Sequence, residues 1–258
     1  MGKLMIRPLL PAAILLAIAL LPACQSIPAE QQAALGDEPA IFELSDFEKE
    51  GAVYGIDVHD PIEPVNRAIY KFNAIFDRAI FVPVTELYEF ATPTFVQDRV
   101  SGFFSNLTEI NTFANSILQV NFGKASRAAV RFLVNSTIGL AGLFDPMTAL
   151  GTNQQREDLG QTLGVWGIAE GPYLILPILG PSNLRDTVGL IGDAAAYRAV
   201  DPLGLATFQS DHPEMTVLFA VDQRHGFIFF RYYGTGSPFE YELLRLLYTE
   251  KRRLDIAK

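Results

Sequence analysis

The apolar positions of this chain fall into short helical stripes broken by proline and glycine. In "DPIEPVNRAIYKFNAIFDRAI", Val65, Ile69, Phe72, Phe76 and Ile80 recur at steps of four, three, four and four, the spacing of one helix face. Pro64 suits the start of that helix, and Pro83 is expected to stop it. "TFVQDRVSGFFSNL" continues with Phe95, Val96, Val100, Phe103 and Leu107. "TEINTFANSILQV" carries Ile110, Phe113 and Ile117, and "KASRAAVRFLVNSTI" carries Ala125, Ala129, Phe132 and Leu133. Residues 186–197, 213–224 and 238–253 also read as helical, and strand alternation is scarce. The pattern predicts a mostly α, single helical domain from about residue 58 to 255.

One stretch resists this reading. "GVWGIAEGPYLILPILGPS", Gly164–Ser182, carries one charge, Glu170, and is broken by four glycines and three prolines. It resembles neither a solvated loop nor a regular helix or strand. A spanning helix needs roughly 18–20 uninterrupted apolar residues. The longest uncharged runs after Cys24 are 14 residues, Ile110–Gly123 and Gly171–Leu184. A conventional membrane-spanning helix is therefore not expected. Broken helices within one leaflet stay open as a reading, because protein or a water-filled cavity can satisfy their backbone.

The N-terminal end changes the picture. Lys3 and Arg7 precede an apolar run over residues 9–21, and Leu21-Pro22-Ala23-Cys24 follows. Residues 1–23 read as a signal peptide, and the last four letters resemble a bacterial lipobox. Cys24 is then the lipid anchor. It is the single cysteine, so a disulfide within the chain is impossible. Stable anchoring takes more than one acyl chain, and a bacterial lipoprotein is expected to carry three. Gln25, where an Asp often retains lipoproteins in the inner membrane, favours the outer one. Residues 24–57 are expected to form a lipidated N-terminus and a flexible acidic tether, with Glu30, Asp37, Glu38, Glu43, Asp46, Glu48 and Glu50 and little periodicity. The helical domain takes 58–258.

Composition adds limits. Net charge is −9, and loss of Lys3 and Arg7 makes it more acidic. Nucleic acid is an unsuitable partner for so acidic a chain. Catalytic signatures are scarce: the sequence has no G-x-S-x-G, no H-E-x-x-H and no Walker loop. Its three histidines, His59, His212 and His225, lack metal-pair spacing. No catalytic set, metal site or cofactor is expected, and the chain reads as a non-enzyme. A hydrolase built on Asp222 and His225 is the competing reading. Asp145, Asp158, Asp186 and Asp193 are expected to cap helices. "GLAGLFD", Gly139–Asp145, follows a helix and makes a poor phosphate cradle. Three basic groups, Lys124, Arg127 and Arg131; Arg67, Lys71 and Arg78; Lys251, Arg252 and Arg253, read first as solvated helix faces, with lipid phosphates as the alternative partner.

Three blocks, "DPIEPVNRAIYKFN", "RFLVNSTIGLAGLFD" and "DLGQTLGVWGIAEGPYLILPILGPSNLRDTVG", resemble the VacJ/MlaA lipoproteins. The resemblance covers about 57–253 and ends on the helix-like "YELLRLLYTEKRR". It implies an outer-membrane lipoprotein, held in the periplasmic leaflet by its lipid anchor, in a phospholipid-trafficking system that preserves lipid asymmetry. The implied fold is a helical ring, a membrane-embedded disc with a central amphipathic channel. Mislocalised phospholipid would pass through it to a periplasmic lipid-binding carrier and on to an ATP-driven inner-membrane complex. Trimeric porins are the implied partners. A structural lipoprotein that scaffolds porins without transport is the alternative.

On this reading Gly164–Ser182 folds back to line or support the ring, with Trp166 and Tyr173 at the membrane interface. Candidate polar channel residues are Asn73, Asn135, Asp145, Glu170, Arg185 and Asp186. Candidate apolar wall residues are Phe72, Leu174 and Leu176. "AIFDRAIFVP" departs from the family pattern, which puts any gating role of the first hairpin in doubt.

Overall fold

Helices occupy most of the described chain. The computed structural model describes residues 58–226, 232–234 and 237–258, all within the unit Phe42–Lys258. The signal segment, Cys24 and the tether lie outside the described residues.

Helix α1 (Glu63–Phe76) carries Pro64 in its first turn, where the missing N–H leaves no helical bond unmade. Pro83 does not stop the chain. A π-helical turn, Asp77–Phe81, leads directly into α2 (Val82–Ala91). The amide of Val82 reaches back five residues to the Asp77 carbonyl. This wider turn shifts the hydrogen-bond ladder just ahead of the proline, which lacks an amide to continue it. The two segments read separately as "TFVQDRVSGFFSNL" and "TEINTFANSILQV" fuse into one 25-residue helix, α3 (Thr94–Leu118). At 1.5 Å per residue α3 is about 38 Å long. It contains Asp98, Arg99 and Glu109, and no described helix is long and apolar enough to cross a membrane.

Helix α4 (Phe122–Thr137) packs along α3 and is capped by the Asn121 side chain. Asp145 caps the short α5 (Pro146–Ala149), and Asp158 caps α6 (Leu159–Val165). The puzzling segment then forms a β-hairpin, β1 (Tyr173–Leu176) antiparallel to β2 (Gly180–Asn183). Asn183 caps α7 (Leu184–Val200), which is followed by α8 (Leu205–Asp211), α9 (Pro213–Gly226) and α10 (Glu240–Ala257).

Two glycines set the approach of α6 to α7. A Cβ on Gly189 would sit 2.3 Å from the Gly160 amide nitrogen, and one on Gly160 would sit 2.7 Å from an Asp186 carboxylate oxygen. Backbone cannot retreat as a flexible side chain can. Gly189→Ala is therefore expected to destabilise the protein by about 2–3 kcal/mol or more, the scale of overpacking. Gly123→Ala, whose Cβ would meet only a side-chain atom at 3.6 Å, is expected to be neutral or slightly stabilising. Thermal unfolding of both variants in mild detergent checks this.

Candidate functional site

Burial in this fold is inverted. Among the described residues eight apolar or aromatic side chains are buried, against two dozen polar or charged ones. Nearly forty large apolar side chains are exposed. Helix α1 and the π-helical turn after it show the pattern clearly: Asn66, Tyr70, Asn73 and Asp77 face inward, while Val65, Phe72, Ile75 and Ile80 are exposed. The apolar stripe legible in the sequence is thus largely the outer face. Helix α3 buries Gln97, Asn106, Glu109, Thr112, Asn115 and Ser116, and exposes Phe95, Val96, Phe113, Ile117 and Leu118. A soluble domain seldom shows so large an apolar surface, and one of this size marks a membrane or protein contact.

The interior polar groups build the frame. The Asn66 side-chain amide donates to the Tyr173 carbonyl at 3.0 Å and accepts from the Ile175 amide at 2.8 Å. Seven residues on, Asn73 donates to the Leu176 carbonyl at 3.0 Å and accepts from the Ile178 amide at 2.7 Å. Seven helical residues advance about 10.5 Å, and three strand residues about 10 Å. The two asparagines therefore meet the same pair of backbone groups three residues apart, and stand in for a missing neighbouring strand. Behind them the rings of Tyr70, Tyr173 and Tyr241 meet edge to face at 6.0 to 6.3 Å between centroids, a favourable aromatic geometry.

Most charges inside are paired. Arg252 forks onto both Asp158 carboxylate oxygens at 2.8 Å, and its Nε donates to Asp186 at 2.8 Å. Tyr248 and Asn183 also donate to Asp186. One guanidinium on α10 so ties together the N-termini of α6 and α7. Arg131, buried on α4, pairs with Glu109 at 2.5 Å and Asp145 at 2.9 Å. Asn135 also donates to Asp145. Lys124 pairs with Glu157, and Arg224 forks onto Asp77.

The predicted residues divide accordingly. Asn73, Asn135, Tyr173, Arg185 and Asp186 are buried and hold the frame. Tyr173 is 1% exposed, which corrects its expected place at a membrane interface. Phe72 and Trp166 are exposed; the Trp166 ring N–H donates to the Leu118 carbonyl at 3.1 Å. Leu174 and Leu176 are half-buried, alternating with buried Tyr173 and Ile175 along β1. Glu170 pairs with Arg253 at 2.9 Å, and Asp145 keeps part of its carboxylate at the surface. Cys24 lies outside the described residues. Much of the basic stripes is taken up within the chain. Arg67, Lys124, Arg131, Lys251, Arg252 and Arg253 all pair with carboxylates of the chain itself. Sequence reasoning missed Asn66, Arg252 and Asp158 as frame residues. Asn66 and Asn73, seven apart on the face opposite the apolar stripe, carried a usable signal.

Asp222 and His225 do not form a nucleophile-activating pair. Ser101 donates to Asp222, whereas His225 meets Glu89 at 2.8 Å.

The clamp has a pH signature. Burial opposes ionisation of Asp158, but the Arg252 guanidinium and the Gln161 amides outweigh it and hold the carboxyl down at about 2. Asp145 is likewise held at about 2: burial opposes, and Thr148, Arg131 and Asn135 prevail. An aspartate is ordinarily near 3.9. A carboxyl lowered in the fold stabilises above its ordinary value, and that contribution is lost as pH falls through the folded one. Stability is expected to fall between about pH 4 and 2. In Arg252→Gln, denaturant unfolding across that range is expected to show a shallower loss than wild type.

Comparison with known proteins fits this architecture. The family model described as MlaA lipoprotein matches residues 58–255. An uncharacterized protein of Rickettsia prowazekii is 40% identical over 148 residues, 57% of this chain and 58% of its own length. The intermembrane phospholipid transport system lipoprotein MlaA of Haemophilus influenzae is 32% identical over 141 residues, 53% of this chain and 56% of its own. Its Escherichia coli K12 counterpart is 33% identical over 138 residues, covering 52% and 55%. The chain thus spans a little over half the length of these curated relatives. A chain solved in work on the structural basis for maintenance of bacterial outer membrane lipid asymmetry superposes with a TM-score of 0.65 at 26% identity. That match covers 77% of this chain and all of the other. Sequence and fold agree, and the chain belongs to the MlaA lipoprotein family.

Proposed function

We propose that this chain is an outer-membrane lipoprotein that withdraws mislocalised phospholipid from the outer leaflet and passes it to a periplasmic lipid-binding carrier. The observation that carries the reading is the inverted burial, apolar side chains outward around a paired polar interior. Family membership and the names of the Haemophilus and Escherichia relatives support it. In this reading residues 1–23 are removed, Cys24 carries the acyl chains, 24–57 form the tether and 58–258 lie in the inner leaflet as a ring-like disc with a central amphipathic channel. Trimeric porins are the partners in the membrane.

The step is passive and not enzymatic. Moving a charged headgroup through hydrocarbon is costly, because its hydration is lost without replacement. A polar passage lowers that cost while the tails stay in apolar surroundings. In this reading Phe72, Trp166, Leu174 and Leu176 meet acyl chains, and Asp145 and Glu170 meet polar headgroup atoms. Asn73, Asn135, Tyr173, Arg185 and Asp186 position them from behind.

Added phospholipase reads phospholipid at the cell surface. Deleting the gene is expected to raise that signal, wild type to restore it, and Cys24→Ala to leave it raised. An unchanged signal on deletion would overturn transport and favour the porin-scaffold reading.

A further inference from the structure

Arg99 differs from Arg131 and Arg252, whose guanidinium groups pair with carboxylates. It stands on α3 with no carboxylate partner among the described residues. Its guanidinium carbon lies 4.6 Å from the centre of the Phe95 ring and 4.4 Å from that of Phe144. One Nη donates to the Leu143 carbonyl at 3.0 Å, while Nε is covered and without a partner. A guanidinium offers five N–H donors, so most of its capacity is unfilled. The rings that hold it are themselves exposed, Phe95 by 60% and Phe144 by 41%, as are Val96 and Leu143 beside them.

This arrangement is held in place by backbone. Phe144 and Leu143 belong to the loop "GLAGLFD", which packs on α3 one turn beyond Arg99. A Cβ on Gly102 would sit 2.6 Å from the Gly142 carbonyl oxygen. Gly142 has φ +90°, and a Cβ there would sit 2.4 Å from that of Asn106. Only glycine fits at either position. The glycine-rich loop presses a phenyl ring onto a cation.

A lone guanidinium on a lipid-facing surface is costly unless an anion meets it. Arginine's planar fork matches a phosphate, and its weak hydration suits a site between two rings. We propose that Arg99, clamped by Phe95 and Phe144, binds the phosphodiester of a boundary phospholipid in the surrounding leaflet and thereby sets the depth of α3 in the membrane. This rests on the membrane reading of the apolar exterior and is separate from the transport path.

The test uses the mature lipoprotein in dodecyl maltoside, read by thermal unfolding. Phosphatidylglycerol is added to one sample, diacylglycerol with the same acyl chains to a second, and inorganic phosphate to a third. Wild type is expected to gain about 3 °C more from phosphatidylglycerol than from diacylglycerol, and nothing from inorganic phosphate. Arg99→Gln is expected to lose that difference, and Arg99→Lys to keep part of it. The full difference in Arg99→Gln would overturn the proposal. So would an equal gain from inorganic phosphate, which would mark a site for the free ion. If neither lipid stabilised wild type, the membrane reading itself would fall, and this proposal with it.

Discussion

Turning apolar side chains outward leaves the interior to amides, hydroxyls and charges, and each of these must find its partner within the chain. An unpaired buried polar group costs roughly 1–3 kcal/mol, and an unpaired charge more. The fold answers with fixed geometry. Asn66 and Asn73 complete the free edge of β1, Arg252 joins two helix N-termini, and Arg131 holds Glu109 against Asp145. Glycines at 160 and 189 let the helices come close enough for the Arg252 clamp to reach both aspartates. Because these groups depend on one another, the frame is expected to tolerate change on its outer face more readily than inside.

The helices were legible in the sequence because their apolar residues repeat at helical spacing. The direction of those stripes was not. Periodicity reports that a face is apolar; it does not say whether that face meets a core or a lipid tail. The same gap explains the basic stripes. Lys124 and Arg131 line one helix face in the sequence, but their carboxylates, Glu157 and Glu109, come from elsewhere in the chain. Asp145 and Asp158 as caps were readable, since a cap lies next to the helix it serves. The hairpin was hidden because each strand has four residues, and Pro172, Pro177 and Pro181 disrupt any period. Its true signature, two asparagines seven apart on α1, sits about a hundred residues away.

Fold and proposed role meet at this inversion. A largely paired polar interior enclosed by an apolar exterior suits a protein that would work inside one leaflet, with no spanning helix among the described residues. The lipid anchor expected at Cys24 would bring the domain to the membrane, and the exterior would hold it there. Arg99, Phe95 and Phe144 add a polar point on that exterior, where depth can be set.

The chain's single tryptophan, Trp166, gives direct access to the central claim, because its ring is exposed on the apolar surface. The mature protein would be reconstituted in vesicles whose phospholipids carry bromine on the upper acyl chain, and its fluorescence compared with unbrominated vesicles and with aqueous acrylamide. The account predicts strong quenching by the brominated lipid and weak quenching by acrylamide. Free access to acrylamide with no effect of bromine would contradict it, because the apolar exterior would then face water.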